Sequence, residues 1–183
     1  MIRLVLWLLG GVLLGGVVHL ASVLLLPRTA SQDAYSRLEA ISPINTVAAL
    51  PAPSPENDIL PFMDPAFAVA VCRYDLTTAP LKLTTPVGQA YTSVSFYTRF
   101  GVAYYAINDR AAGRRIIELD LMTPEQRSEL PEDEDVTAAD RLIVESPTPT
   151  GLVVLRVLGP EPSAMAVARG VLAAARCRPN PQQ

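Results

Sequence analysis

The fold is decided by residues 66–74, which read AFAVAVCRY. Because the side chains of a β-strand point alternately to its two faces, one face carries alanines and Cys72, while the other carries Phe67, Val69 and Val71. A face lined by alanine lets a helix approach closely. The stretch therefore predicts a strand with a helix packed against its small face.

Short apolar runs separated by turn residues follow this strand along the chain. Runs of this length, spaced by about 8–12 residues, are typical of antiparallel sandwiches. The predicted strands are Ala66–Tyr74, Leu81–Thr85, Tyr91–Arg99, Val102–Asn108, Arg115–Met122, Arg141–Glu145 and Leu152–Leu158. The chain is thus predicted to be α+β, with an N-terminal transmembrane helix followed by a mainly antiparallel β-sandwich-like domain and a packed C-terminal helix.

The C-terminal helix is predicted over residues 160–177, where apolar side chains recur on one helical face. The helix is rich in alanine, so we expect it to pack against the alanine face of residues 66–74. That packing would bring Cys177 to Cys72, and a disulfide between them would close a loop of about 100 residues. Two buried free thiols in a cytoplasmic domain are the alternative.

Residues 4–26 form an almost unbroken apolar run of 23 residues. At about 1.5 Å per residue, a helix of this length crosses a hydrocarbon core of about 30 Å. A cleaved signal peptide normally has a shorter apolar core, and Arg28 would stand unfavourably close to a cut after Ala30. The sequence therefore predicts an uncleaved anchor over residues 1–28, in contact with the lipid bilayer through residues 4–26.

The positive charges that flank this run are divided almost evenly, so they do not orient it. A disulfide would favour an oxidising compartment. We therefore expect a single-pass protein of the inner (cytoplasmic) membrane with its C-terminal domain in the periplasm. Gly11 and Gly15 form a GxxxG motif, which allows two helices to approach closely and predicts self-association through the anchor; a plain, unpaired anchor is the alternative.

Residues 29–65 are predicted to connect the anchor to the globular domain. A short juxtamembrane helix is expected over Ser31–Ile41, with Leu38 and Ile41 on its apolar face. Six prolines follow, and they exclude both a helix and a central strand. The β-rich globular domain with its C-terminal helix is accordingly predicted over residues 66–183.

Composition excludes several classes of chemistry. The net charge of −3 gives no basic surface for nucleic acid. The only histidine, His19, lies in the apolar run, so the rest of the chain cannot form a Ser-His-Asp or Cys-His catalytic set. We predict no catalytic residues, no metal site, no cofactor and no nucleic-acid partner, and a noncatalytic role is favoured while an enzymatic one stays open.

A set of tyrosines and arginines is the best binding candidate. Tyr97 and Arg99 share one face of a predicted strand, and Tyr104 lies on the next strand across a hairpin. With Arg73, they are predicted to line an amphipathic pocket for a small ligand or a peptide. Ordinary sheet packing with tyrosine hydroxyls at the rim is the alternative.

Three stretches resemble a bacterial family known as domain of unknown function 1254. They are Glu56-Asn57-Asp58, VCRYDLTTAPLKLTTP at residues 71–86, and YTSVSFYTRFGVAYYAINDRAAG at residues 91–113. The resemblance covers roughly residues 55–125. It implies a β-rich, envelope-associated domain without an established activity, in a short membrane-anchored form. It carries over no catalytic residues.

These observations favour a membrane-anchored envelope domain that binds or scaffolds a partner protein or an envelope component. The alternative function is a small-ligand carrier or an enzyme that uses the face of Arg73, Tyr97, Arg99 and Tyr104.

Overall fold

The structure is a computed structural model that describes residues 1–29, 33–54, 59–112, 115–130 and 142–180. The chain forms two compact units, Met1–Asp33 and Ala34–Gln183. Glu56-Asn57-Asp58 of the family resemblance, Ser31 and Arg141 lie outside the described residues.

The first unit contains helix α1, Ile2–Thr29. Its segment Ile2–Leu26 is long and apolar enough to cross a membrane, and its side chains are exposed. An anchor and a signal sequence share these properties. Gly11 and Gly15 leave open space on the helix surface, and pairing through them stays a prediction.

The second unit is a two-layered β-domain with short helices. Its helices are α2 (Ala34–Arg37), α3 (Asp109–Ala112), α4 (Pro124–Ser128) and α5 (Pro162–Ala173). Its strands are β1 (Val47–Ala49), β2 (Phe67–Asp75), β3 (Leu81–Pro86), β4 (Thr92–Thr98), β5 (Ala103–Asn108), β6 (Ile116–Met122), β7 (Leu142–Glu145), β8 (Thr150–Leu158) and β9 (Arg176–Pro179).

The strands form two sheets, in the orders β1-β2-β8-β4-β5 and β7-β6-β3-β9. Every neighbouring pair is antiparallel except β6 and β7, which run parallel. This architecture confirms the predicted α+β class with a mainly antiparallel sheet domain. The main core contains residues of both sheets and of α5, and its largest fully buried side chains are Tyr74 and Phe96.

Helix α5 packs against the small face of β2, as the sequence predicts. Ala168 and Leu172 of the helix are buried in the same cluster as Ala68 and Ala70 of the strand. The prediction that this helix continues to Cys177 is wrong, because it ends at Ala173. The residues that follow form β9 and pair with β3, which satisfies their backbone hydrogen-bonding groups in a ladder.

A disulfide joins Cys72 to Cys177, with the two Cα atoms 6.5 Å apart. Cys72 lies on β2 and Cys177 on β9, so the bond links the two sheets. The predicted pairing is confirmed, although Cys177 reaches Cys72 from a strand and not from the end of a helix.

The globular domain begins well before residue 66. Val47–Ala49 pairs with β2 as an edge strand just before the first of the closely spaced prolines, and Tyr35 and Leu38 are buried on the outer face of the five-stranded sheet. The predicted boundary at residue 66 is therefore moved towards the N-terminus. Ile41, predicted on the apolar face of the juxtamembrane helix, lies after the helical residues and is 36% exposed.

Candidate functional site

The predicted pocket residues do not line one pocket, because they lie on two faces of the five-stranded sheet. Tyr97 packs against the outer cluster that contains Val71 and Leu152. Tyr104 packs on the inner side, where its ring centroid lies 6.2 Å from that of Phe96. Any pocket on the outer face therefore has to be built without Tyr104.

Arg73 is buried near the C-terminal end of β2, with 6% of its surface exposed. Its guanidinium carbon lies 4.4 Å from the centre of the Tyr35 ring. Its Nη1 donates a hydrogen bond to the Ser42 carbonyl at 3.4 Å, and its Nη2 lies 3.9 Å from a carboxylate oxygen of the exposed Glu39. A buried cation needs such neighbours, because desolvation of an unpaired charge is costly.

Arg99 contacts the same tyrosine. Its guanidinium carbon lies 4.3 Å from the centre of the Tyr35 ring, and its Nη2 donates to the Ser36 hydroxyl at 3.4 Å. We call Tyr35, Arg73 and Arg99 the arginine–tyrosine cluster. An aromatic ring attracts cations over its face, most strongly where water is excluded. The cluster thus fastens residues 35 and 36 to the outer face of the sheet.

Sequence analysis missed Tyr35 and Ser42 in this cluster. The signal for Tyr35 was its spacing of three residues from Leu38, which places both on one helical face; both are buried. Ser42 is fully buried, and within the described residues neither its hydroxyl nor the Nε atom of Arg73 has a hydrogen-bond partner. No sequence signal identifies Ser42, because its contact is a backbone carbonyl.

Tyr35 supplies the first testable prediction. Tyr35→Ala should lower the free energy of unfolding of the full-length protein by about 3 kcal/mol, through lost packing and lost cation–π contacts. Tyr35→Phe keeps the ring and should change the free energy of unfolding by less than about 0.5 kcal/mol. Urea unfolding in detergent micelles measures both. Equal losses in the two variants would show that the hydroxyl, and not the ring, holds the cluster together.

A second cluster of polar side chains lies inside the domain, around the Tyr74 hydroxyl. This hydroxyl lies 3.0 Å from the Tyr104 hydroxyl, 2.9 Å from Ser146 Oγ and 3.2 Å from the Tyr97 carbonyl. The Tyr74 hydroxyl donates to the Tyr97 carbonyl, and the Ser146 hydroxyl donates its own proton to the Thr148 carbonyl at 2.7 Å. The Tyr74 hydroxyl thus lies at the centre of a cluster of polar atoms from β4, β5 and the residues after β7.

Burial raises the pKa of both Tyr74 and Tyr104, because the phenolate form would lose its hydration. Both phenols therefore stay protonated at neutral pH. They act as hydrogen-bond donors that fix strand ends, and neither is poised as a general base.

The backbone of Gly151 passes directly beneath the Tyr74 hydroxyl. Gly151 pairs with Tyr74 across the two strands, and a Cβ at Gly151 would come within 2.3 Å of both the Tyr74 hydroxyl and the Tyr97 carbonyl. Glycine is therefore required here for close approach of the tyrosine.

The acidic residues of the four-stranded sheet are paired. Glu118 forms an ion pair with Lys82, and Asp120 accepts a hydrogen bond from Asn180 at 3.4 Å. Across the part of the chain that the structure describes, no group of three His, Cys, Asp or Glu side chains could hold a metal ion. These contacts between described side chains fasten neighbouring segments of the domain together.

Comparison with solved structures shows the same fold elsewhere. The VPA0106 protein from Vibrio parahaemolyticus has a TM-score of 0.59 at 14% sequence identity, covering 81% of this chain and 34% of that chain. An uncharacterized protein from Burkholderia cenocepacia has a TM-score of 0.48 at 13% identity, covering 82% of this chain and 41% of that chain. This chain thus spans about a third of VPA0106, and the likeness to VPA0106 shows the fold alone. No curated protein sequence matches the chain.

The family comparison covers more of the chain. The sequence profile described as "Protein of unknown function (DUF1254)" matches residues 44–179. The matched range extends from the residues before β1 to the last residue of β9, and so includes both sheets and α5. The chain belongs to the DUF1254 family of proteins of unknown function.

Proposed function

We propose that the protein is a noncatalytic binding domain, held at the periplasmic side of the inner membrane by an uncleaved N-terminal helix, where it binds a protein partner. The observation that carries this proposal is the open edge of the five-stranded sheet at β5. Two features support this location. Helix α1 is long and apolar enough to cross a bilayer, and a disulfide is typical of an oxidising compartment.

Natural sheets protect their edges by keeping edge strands short or by placing charges and prolines on them. Among the described residues, three of the four sheet edges follow that rule. β1 has three residues and β7 has four, while β9 has four residues that include two arginines and a proline. These edges are poor templates for another strand.

β5 departs from the rule. It has six residues, AYYAIN, with no charge and no proline, and within the described residues it pairs only with β4. Ala103 and Ala106 on this strand are exposed. An extended segment of a partner can add to such an edge through backbone hydrogen bonds, with side-chain contacts supplying specificity. Tyr104 and Tyr105, which are partly buried beside Phe96, stiffen the edge from within.

The test is site-specific photocrosslinking in living cells with the full-length protein. A photoreactive phenylalanine at Ala103 should give one discrete protein adduct, and the same group at the exposed Thr77 should give none. Ala106→Lys places a charge on the edge and should abolish the adduct formed at position 103, while leaving urea unfolding unchanged. An adduct that survives Ala106→Lys, or that forms equally at Thr77, would refute strand addition at β5.

The alternative of a ligand carrier or enzyme loses support, because Tyr104 lies on the inner side of the sheet while Tyr97 lies on the outer side. Arg73 and Arg99 are, moreover, in contact with the protein's own Tyr35.

A further inference from the structure

The turn that joins β4 to β5 presents apolar side chains on a rigid support. The Val102 carbonyl accepts a hydrogen bond from the Thr98 N–H at 2.9 Å, and the Thr98 hydroxyl accepts one from the Val102 N–H at 3.1 Å. The Gly101 N–H donates to the Thr98 carbonyl at 3.0 Å, and Gly101 has a φ of 79°, in the left-handed region that glycine favours. The turn is thus closed by three hydrogen bonds.

Phe100 and Val102 point out from this turn with 46% and 61% of their surfaces exposed. Single exposed apolar residues are ordinary on a protein surface. Here two of them flank Gly101 at the very tip of a hairpin. Arg99, the neighbouring charged residue, turns back to the Tyr35 ring, so the tip itself carries no charge.

Few residues of the sequence separate α1 from the residue that Arg99 contacts. Arg99 donates a hydrogen bond to Ser36, which is seven residues after Thr29, the last residue of α1. A fully extended chain of that length spans at most about 25 Å. The arginine–tyrosine cluster therefore ties the β4–β5 turn to residues 35 and 36.

We propose that the tip of this hairpin, Phe100-Gly101-Val102, enters the interfacial layer of the lipid bilayer. The inference rests on the proposed membrane anchoring of α1. If α1 is an anchor, a lipid bilayer is present beside every copy of the protein. The seven residues that lead from Thr29 to Ser36 are then a short tether to that apolar phase. The tip is uncharged and rigid, so inserting it requires neither desolvation of a charge nor ordering of a loop.

Tryptophan fluorescence in vesicles tests the proposal, because the protein has one tryptophan, Trp7, in α1. The full-length protein is reconstituted in vesicles of phosphatidylcholine and phosphatidylglycerol, with either ordinary or brominated acyl chains, which quench nearby indoles. Trp7→Phe/Phe100→Trp should show blue-shifted emission that brominated lipid quenches. Trp7→Phe/Val167→Trp is the matched control, since Val167 is 63% exposed on α5, and its emission should not respond to bromination.

The outcomes separate the tip from the anchor. Quenching of the native Trp7 reports the anchor itself. If Trp7 is quenched while the Phe100→Trp variant behaves like the Val167→Trp control, the tip does not enter lipid and the inference is overturned, although the anchor stands. If Trp7 is not quenched, membrane anchoring fails and the inference fails with it. Unchanged urea unfolding of each variant verifies that the substituted domains are folded.

Discussion

Gly151→Ala will lower the free energy of unfolding by about 3 kcal/mol or more, because the new methyl group meets atoms that cannot move away. One obstacle is the Tyr97 carbonyl, a backbone atom held in the β4 ladder, and the other is the Tyr74 hydroxyl, both 2.3 Å from the added Cβ. Any shift of Tyr74 also breaks its hydrogen bonds to Ser146 and Tyr104 in a buried site. Urea unfolding of the full-length protein in detergent measures the loss.

Gly170→Ala is the matched control for this substitution. Gly170 lies within α5, and a Cβ added there has no atom within 4 Å beyond the neighbouring backbone of its own helix. The change should raise the free energy of unfolding by about 0.5–1 kcal/mol, since alanine restricts the unfolded chain and favours helix. Two glycine-to-alanine changes in one domain should thus act with opposite signs. Similar effects at both positions would contradict the close contact between Tyr74 and Gly151.

Removal of the disulfide will have an effect of similar size. Cys72→Ala/Cys177→Ala opens a cross-link between residues 105 apart and should lower the free energy of unfolding by about 4 kcal/mol in the chain-entropy account. Both sulfur atoms lie in the main core, so alanine at these positions introduces no polar group.

Reduction of the unaltered protein is the corresponding control. A reducing agent should lower its unfolding midpoint to near that of the double variant, and should leave the midpoint of the double variant unchanged. If the double variant unfolds at the same urea concentration as the oxidised parent, the bond between the sheets does not contribute to stability.

The strands that the sequence predicts are those with clear alternation. Predicted strand 66–74 and observed β2 differ by one residue at each end, because its valines and alanines alternate without interruption. β1 and β9 escaped prediction since three or four residues contain too little periodicity, and both exist only through pairing with longer strands. Extension of the C-terminal helix to Cys177 failed for the same reason, because pairing with β3 is not encoded locally.

The arginine–tyrosine cluster was even harder to predict from local sequence. The alternation of side chains places Tyr97 and Arg99 on one strand face. It does not predict the order of strands in the sheet, in which β8 lies between β2 and β4. The segment that covers Arg73 and Arg99 comes from residues 35–42, far from both in sequence. Tyr104 was grouped with them because it is close along the hairpin, yet the register shift between Phe96 and Tyr97 interrupts the pairing beside it.

The order of strands in the larger sheet has a consequence for how the chain reaches its native state. β8 is inserted between β2 and β4, and its contacts with β2 join residues at least 75 apart in sequence. Closing such large loops before any stabilising contact forms makes folding slow. Until residues 150–158 have emerged, β2 and β4 each keep an apolar strand edge open. During synthesis the nascent chain therefore passes through a period in which it is prone to aggregate, when chaperones that bind extended apolar segments would protect it.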